Sequence, residues 1–247
     1  MTEIRGLRPE QVRSVAVLTG AGVSAESGVP TFRGEGGLWR NYRAEDLATP
    51  QAFRRDPALV WEWYDWRRGL VGGCQPNAAH ETLAEMEEAF PDLTLVTQNV
   101  DGLHRLAGSR KVLELHGNIW RLRCTRGCRP NWEDRRVPLP AIPPMCPDCG
   151  ALARPDVVWF GESLPRRELE AAFDAAGRCQ LMLVVGTSAV VQPAASLPVM
   201  ALDRGAYVVE VNPQPTPLSA LVDEAIRARA AQALPGWWRA WRAGRSN

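Results

Sequence analysis

Six short apolar runs rich in β-branched residues punctuate the chain, at residues 15–18, 93–97, 112–115, 157–160, 181–185 and 206–211. They are near-continuous rather than alternating, which is how strands covered on both faces read. Between several of them apolar residues recur every three or four positions, as over 78–90 and 168–176, and this spacing predicts amphipathic helices. Strands alternating with helices predict an α/β fold, a Rossmann-like parallel sheet covered by helices on both faces. Ligands of such sheets bind beyond the carboxyl ends of the strands. Gly20, Gln98, His116, Gly186 and Asn212 follow the first, second, third, fifth and sixth runs.

Two segments depart from this rhythm. Cysteine, proline and arginine replace the apolar periodicity over 121–153, which predicts a small inserted lobe. Residues 34–75, rich in tryptophan and arginine, form a second insertion whose 58–70 part has helical spacing. That leaves 1–33, 76–120 and 154–247 for the large lobe of a single domain spanning 1–247. The tail, with Trp237, Trp238 and Trp241, predicts a helix laying an aromatic face on the sheet.

Twenty-nine basic against 28 acidic side chains give a formal net charge of +1, so charge makes no case for nucleic acid or a membrane as partner. Lys111 is the only lysine, which reads as composition bias. The apolar run before Gly20 is far shorter than a signal-peptide core and no later run reaches spanning length, so the expected setting is cytoplasmic.

Gly20, Gly22 and Ala25 fall on the G-x-G-x-x-A spacing of a dinucleotide-binding turn, with Ala21 between the glycines. Glycine there lets backbone approach a pyrophosphate, and a helix starting near Ser24 would aim free amides at it. Sterics alone also explain glycines in such a turn. A dehydrogenase-type unit would continue its helix; here the chain breaks at Pro30 and runs through Thr31, Phe32, Arg33, Gly34, Gly36 and Gly37 to Trp39, which predicts a loop over the cofactor.

Cys124-x3-Cys128 and Cys146-x2-Cys149, 17 residues apart, have the spacing of a closed tetrahedral thiolate zinc site, hence one structural ion per chain. Cys74 and Cys179 are left as ordinary thiols. A zinc ribbon among Arg121, Arg123, Arg126, Arg129, Arg135 and Arg136 would also suit a nucleic-acid binder, but that reading leaves the other motifs unused.

Those motifs are Gly20 to Gly34, Thr97-Gln98-Asn99-Val100-Asp101-Gly102-Leu103-His104, Glu114-Leu115-His116-Gly117 and Gly186-Thr187-Ser188. In this order the chain resembles the sirtuins, the NAD-dependent protein-lysine deacylases, from about residue 15 to 235. The resemblance implies that His116 is the general base, taking a proton from the nicotinamide-ribose hydroxyls. It implies that Asn99 and Asp101 line the nicotinamide pocket and act in catalysis beside His116, with Val100 between them, and that Gln98 touches the ribose. It has Phe32 screen the reacting centre, Arg33 contact phosphate or support the loop, and Gly186, Thr187 and Ser188 hold phosphate or ribose. It places adenosine against Asn212, Pro213 and Gln214, with Ala230 closing over adenine.

Thr31, where many deacetylases carry aspartate, and Tyr64-x-x-Arg67 look most like the branch that prefers acidic acyl groups. Three apart on a helix, Tyr64 and Arg67 share a face, and small Ala48 leaves room, so a phenol and a guanidinium can meet one carboxylate. Succinyl- and malonyl-lysine are the implied substrates, acetyl-lysine a weaker one, with nicotinamide and O-acyl-ADP-ribose as products. The acylated protein would lie extended between Phe160-Gly161-Glu162 and Val190-Val191. The alternatives are an ADP-ribosyltransferase on the same NAD site, or a non-enzymatic NAD sensor or zinc-dependent nucleic-acid binder. His80 and His104 are expected to support a helix and the 99–101 loop.

Overall fold

The computed structural model describes residues 11–30 and 43–245. Five of the six predicted runs are strands of one parallel sheet: β1 (Ser14–Thr19), β2 (Asp92–Thr97), β3 (Val112–Glu114), β7 (Leu181–Val185) and β8 (Tyr207–Val211), with β9 (Glu224–Ile226) added at the edge. Their order is β3-β2-β1-β7-β8-β9. The chain passes from β1 to one neighbour, β2, and only later places β7 on the other side. Between β1 and β7 the strand order therefore reverses, and a crevice opens at such a point.

Alternate side chains of each strand enter two different cores. Val15, Val17, Leu93, Leu95, Leu181 and Leu183 pack against α5 (Ala78–Ala89) and α9 (Ala230–Arg245). Ala16, Leu18, Val96, Met182 and Val184 pack against α7 (Arg166–Arg178) and α8 (Ser196–Asp203). This period of two, with both faces covered, is what the continuous apolar runs encode. Trp238 and Trp241 of α9 are buried in the first core, Trp238 against Phe90 with ring centroids 5.7 Å apart.

The fourth predicted run is not a sheet strand. β6 (Ala153–Val157) ends where that run begins, and pairs antiparallel with β4 (Gly117–Cys124), which also carries β5 (Trp132–Glu133). This small sheet is broader than the cysteine-bearing stretch 121–153, since β4 starts directly after His116 and β6 runs to Val157. Gly117 makes the junction: its φ is +79°, and a Cβ there would lie 2.1 Å from the Asp156 carbonyl oxygen. On the same side stand α2 (Ala44–Leu47), α3 (Pro50–Arg55) and α4 (Pro57–Gly72). Phe53, Trp61, Trp63 and Tyr64 share a third core with Ile119, Trp120, Leu122, Ala153 and Trp159 of the small lobe. Among the described residues, no helix is long and apolar enough to cross a membrane.

Candidate active site

The glycine turn is built against the end of β7. Gly20 and Gly22 donate their amides to the carbonyls of Val185 and Gly186, at 3.1 and 2.8 Å. A Cβ on Gly20 would fall 2.8 Å from the Thr187 Cβ, and one on Gly22 2.8 Å from the Gly186 Cα. Close packing of two turns is therefore what these glycines serve first. The helix expected near Ser24 is instead α1 (Ala21–Ser24), one turn followed by a 3-10 turn over Ala25–Ser27. The Gly22 and Val23 amides are engaged by the carbonyls of Gly186 and Gly20, so this short element does not offer the run of free amides of a long helix. Thr31, Phe32, Arg33 and Trp39 lie outside the described residues.

Around this turn the ends of β1, β2, β7 and β8 converge. Gln98 donates its side-chain amide to the Thr187 hydroxyl at 3.0 Å, and Asn212 donates to the Thr187 carbonyl at 3.1 Å. Ser188, Pro213 and Gln214 are exposed along the same rim. Ala230 is only 3% exposed and packs within the core at the start of α9, where Glu26 caps the Ala231 amide at 2.8 Å.

Beneath the crevice lies a buried polar chain whose direction can be deduced. The Asn77 amide donates to His80 Nδ1, so the neutral ring carries its hydrogen on Nε2, which donates to Ser24 Oγ at 3.3 Å. Ser24 also accepts from the Asn99 side chain at 3.1 Å and donates to Asp101 at 2.8 Å. The other Asp101 oxygen takes the Leu103 amide at 2.9 Å. Burial pushes His80 down to about 4 and holds His104 well below the usual range, His80 beside it adding to the effect. Burial raises the Asp101 carboxyl against the bonds from Leu103 and Ser24. His104 meets Thr19 at 2.9 Å. His80 caps α5, as its sequence position suggested. Ser24 was missed as a site residue: inside a glycine motif its hydroxyl carries no signal of its own, and only the fold brings His80, Asn99 and Asp101 to it.

His116 stands on the rim of the same crevice. Its Nδ1 lies 2.8 Å from the Gln98 carbonyl, which can only accept, so Nδ1 holds the hydrogen and Nε2 presents a lone pair. Burial lowers its pKa below the usual histidine range, partly offset by that bond. A neutral imidazole with a fixed tautomer is the result.

The residues expected on the acyl side gather on α4 and the loop after β6. Tyr64 is 2% exposed, with its hydroxyl 2.9 Å from the Trp159 indole nitrogen. Burial pushes its phenol up to about 12. The Arg67 guanidinium stacks on Trp63 at 5.2 Å, its pKa lowered by burial while Tyr64 and Asp101 draw it back up. Ala48 is buried, and its carbonyl accepts from the Phe160 amide at 2.9 Å. Phe160, Val190 and Val191 are exposed apolar side chains, 52%, 44% and 40% accessible. Gly161 is exposed, with φ +84°.

Glu162, expected on the substrate side, has its carboxylate bonded within the protein. Its carboxylate grips Arg154 through two bonds, of 2.6 and 2.9 Å, and accepts the Trp159 amide at 2.9 Å. The amides of Val158 and Glu162 are bonded to the carbonyls of His116 and Trp159. The amides of 158, 159, 160 and 162 are thus all engaged within the protein.

The four cysteines of the small lobe bring their sulfurs within 4.8 Å of one another. Cys128 lies 3.2, 3.4 and 3.5 Å from Cys149, Cys146 and Cys124. These separations are too long for disulfides and near the roughly 3.8 Å edge of a tetrahedron with zinc–sulfur bonds of about 2.3 Å. The cluster fits a closed structural zinc site.

Comparison with known proteins agrees. Residues 20–193 match the Sir2 family model. The chain is 58% identical over 209 residues to NAD-dependent protein deacylase 1 of Caldanaerobacter subterraneus subsp. tengcongensis, covering 85% of this chain and 86% of that one. It is 54% identical over 221 residues to the NAD-dependent protein deacylase of Aquifex aeolicus, covering 90% and 92%. A Sir2 homologue solved with NAD superposes with a TM-score of 0.90 at 47% identity, covering 98% of this chain and 94% of that one. A Sir2–p53 peptide–NAD+ complex does so at 0.83 and 33% identity, covering 100% and 99%. This chain belongs to the Sir2 family.

Proposed function

We propose that this protein is an NAD-dependent protein-lysine deacylase that prefers acidic acyl groups, succinyl and malonyl, over acetyl. The observation that carries the deacylase reading is His116, held by the Gln98 carbonyl with Nε2 unpaired among the described residues beside the crevice. NAD would supply an anomeric carbon that the acyl oxygen attacks as nicotinamide leaves, and one water is consumed as the products nicotinamide, free lysine and acyl-ADP-ribose form. The Gly20–Gly22 turn, Thr187, Ser188 and Asn212 would hold it by phosphate and riboses. Asn99 and Asp101, locked by Ser24, orient the nicotinamide end, and their fixed dipoles need no rearrangement during reaction. His116 Nε2 takes the proton from a ribose hydroxyl.

The acidic preference rests on Tyr64 and Arg67. A guanidinium kept charged among aromatic rings gives a carboxylate charge-assisted bonds that acetyl cannot make. The test is a panel of one peptide carrying succinyl, malonyl or acetyl lysine, incubated with NAD and followed by mass spectrometry. Acyl loss in step with nicotinamide release, at least tenfold more efficient for succinyl than for acetyl, is expected. Nicotinamide release with the acyl group retained would instead mark ADP-ribosyl transfer or NAD hydrolysis.

A further inference from the structure

Trp159 lies just beyond β6, and its neighbours remove nearly all of its freedom. Arg154 stacks over the indole, guanidinium carbon 3.3 Å from the ring centroid. The same guanidinium donates to both oxygens of Glu162 and to the Val157 carbonyl at 2.9 Å. Glu162 in turn accepts the Trp159 amide. Burial works against ionisation of Glu162, and its bonds to Arg154 and Trp159 together outweigh it, so the clamp is charged. Phe53 lies against the indole at 5.2 Å, and the next residue, Phe160, is tied to Ala48.

The outcome of this clamp is one hydrogen bond, from the Trp159 indole N–H to the Tyr64 oxygen at 2.9 Å. An indole N–H only donates, so Tyr64 must accept and keep its own hydrogen. A phenolic hydrogen prefers the ring plane, which offers two directions. A donor on one side leaves the other for the hydrogen. Arg67, three residues on along the same helix face, carries donors only and cannot receive it; a ligand carboxylate beside Arg67 can.

We propose that Trp159 is a positioning residue for acyl selection: its indole N–H, clamped by Arg154 and Glu162, aims the Tyr64 hydroxyl at the distal carboxylate of the acyl group. The proposal rests on the acidic-acyl reading and deepens it. It also gives Glu162 a task in the site without substrate contact, and it explains why a buried arginine lies on an aromatic ring here.

The experiment measures the ratio of desuccinylation to deacetylation efficiency on one peptide for the parent, Trp159→Phe, Tyr64→Phe and the double variant. A second replacement of Trp159 by benzothienylalanine exchanges the N–H for sulfur and keeps the ring shape and the arginine stack. Trp159→Phe and the benzothienyl variant should each lower the ratio about 2- to 10-fold, the range for one neutral hydrogen bond. Acetyl turnover of each variant is the denominator of the ratio, so a general loss of fold lowers both rates together and leaves the ratio unmoved. In the Tyr64→Phe background the same changes should leave the ratio unmoved, a coupling that a merely structural role would not produce. A parent with no succinyl preference would overturn the acidic-acyl reading and this proposal with it. A parent with the preference, whose ratio survives the benzothienyl replacement, would overturn the role of Trp159 alone.

Discussion

The two halves of the site stand on different foundations. The cofactor half, from the glycine turn to His116, rests on the six-stranded sheet and is a closed web of polar groups, in which Ser24 alone joins His80, Asn99 and Asp101. The proposed acyl half rests on the core shared by α3, α4 and the small lobe, where Ala48, Tyr64 and Trp159 sit among aromatic rings. On the proposed function, the web fixes geometry for any substrate, while the aromatic half presents the Arg67 cation and the Tyr64 hydroxyl. Damage to the first should lower every rate together, and damage to the second should change their ratio.

The largest test separates the foundations. Cys146 is 2% exposed within the cysteine cluster, and closed zinc sites contribute directly to folding. Cys146→Ser should lose the metal and loosen the small lobe, which Arg68 ties to α4 through a buried contact with Asp134. Turnover should vanish for every acyl group while NAD binding, followed by calorimetry, weakens less. Equal loss of both would show that the halves are not separable.

Next in size is His116→Tyr. Loss of the general base should cost about 10²- to 10⁴-fold in turnover, equally for succinyl and acetyl, with the unfolding midpoint and zinc content unchanged. A rate drop for only one acyl group would move His116 out of the shared machinery.

Acid should act on one half only. His80 is held near 4 in the fold against the usual 6.5, so between those values the unfolded chain binds more protons and stability falls as the pH drops. The contribution is roughly 3 kcal/mol by pH 4, at about 1.4 kcal/mol per pH unit. Urea midpoints of the parent and His80→Asn between pH 7.5 and 4.5 should converge as the pH falls. Tyr64, at about 12, does not titrate in this range, so the succinyl-to-acetyl ratio should stay flat from pH 6 to 9.

The two halves were also unequally legible in the sequence. The large sheet could be read because strands buried on both faces leave unbroken apolar runs, and the residues after them form the crevice. Run 157–160 misled for a physical reason: Trp159 and Val157 are buried in the lobe core, so apolar content there marks burial, not pairing in the main sheet. β4 was hidden because its Arg121 and Arg123 interrupt the apolar pattern, Arg121 pairing with Glu114 at 2.8 Å and Arg123 with Glu162 at 3.4 Å. The cysteine spacing gave the metal site. No spacing could show that Glu162 holds Arg154, or that His80 reaches Ser24, since those contacts exist only once distant segments meet.

The most direct test of the account is the ratio of desuccinylation to deacetylation efficiency for the parent and Arg67→Met. Charge-assisted bonds to a carboxylate contribute about 1.5–3 kcal/mol, so the ratio should fall roughly 10- to 150-fold in the variant. The fall should come from the succinyl side, with acetyl turnover unchanged or slightly raised as a desolvated guanidinium is removed. A ratio that stays at the parent value would contradict the acidic-acyl reading and leave a deacylase indifferent to acyl charge.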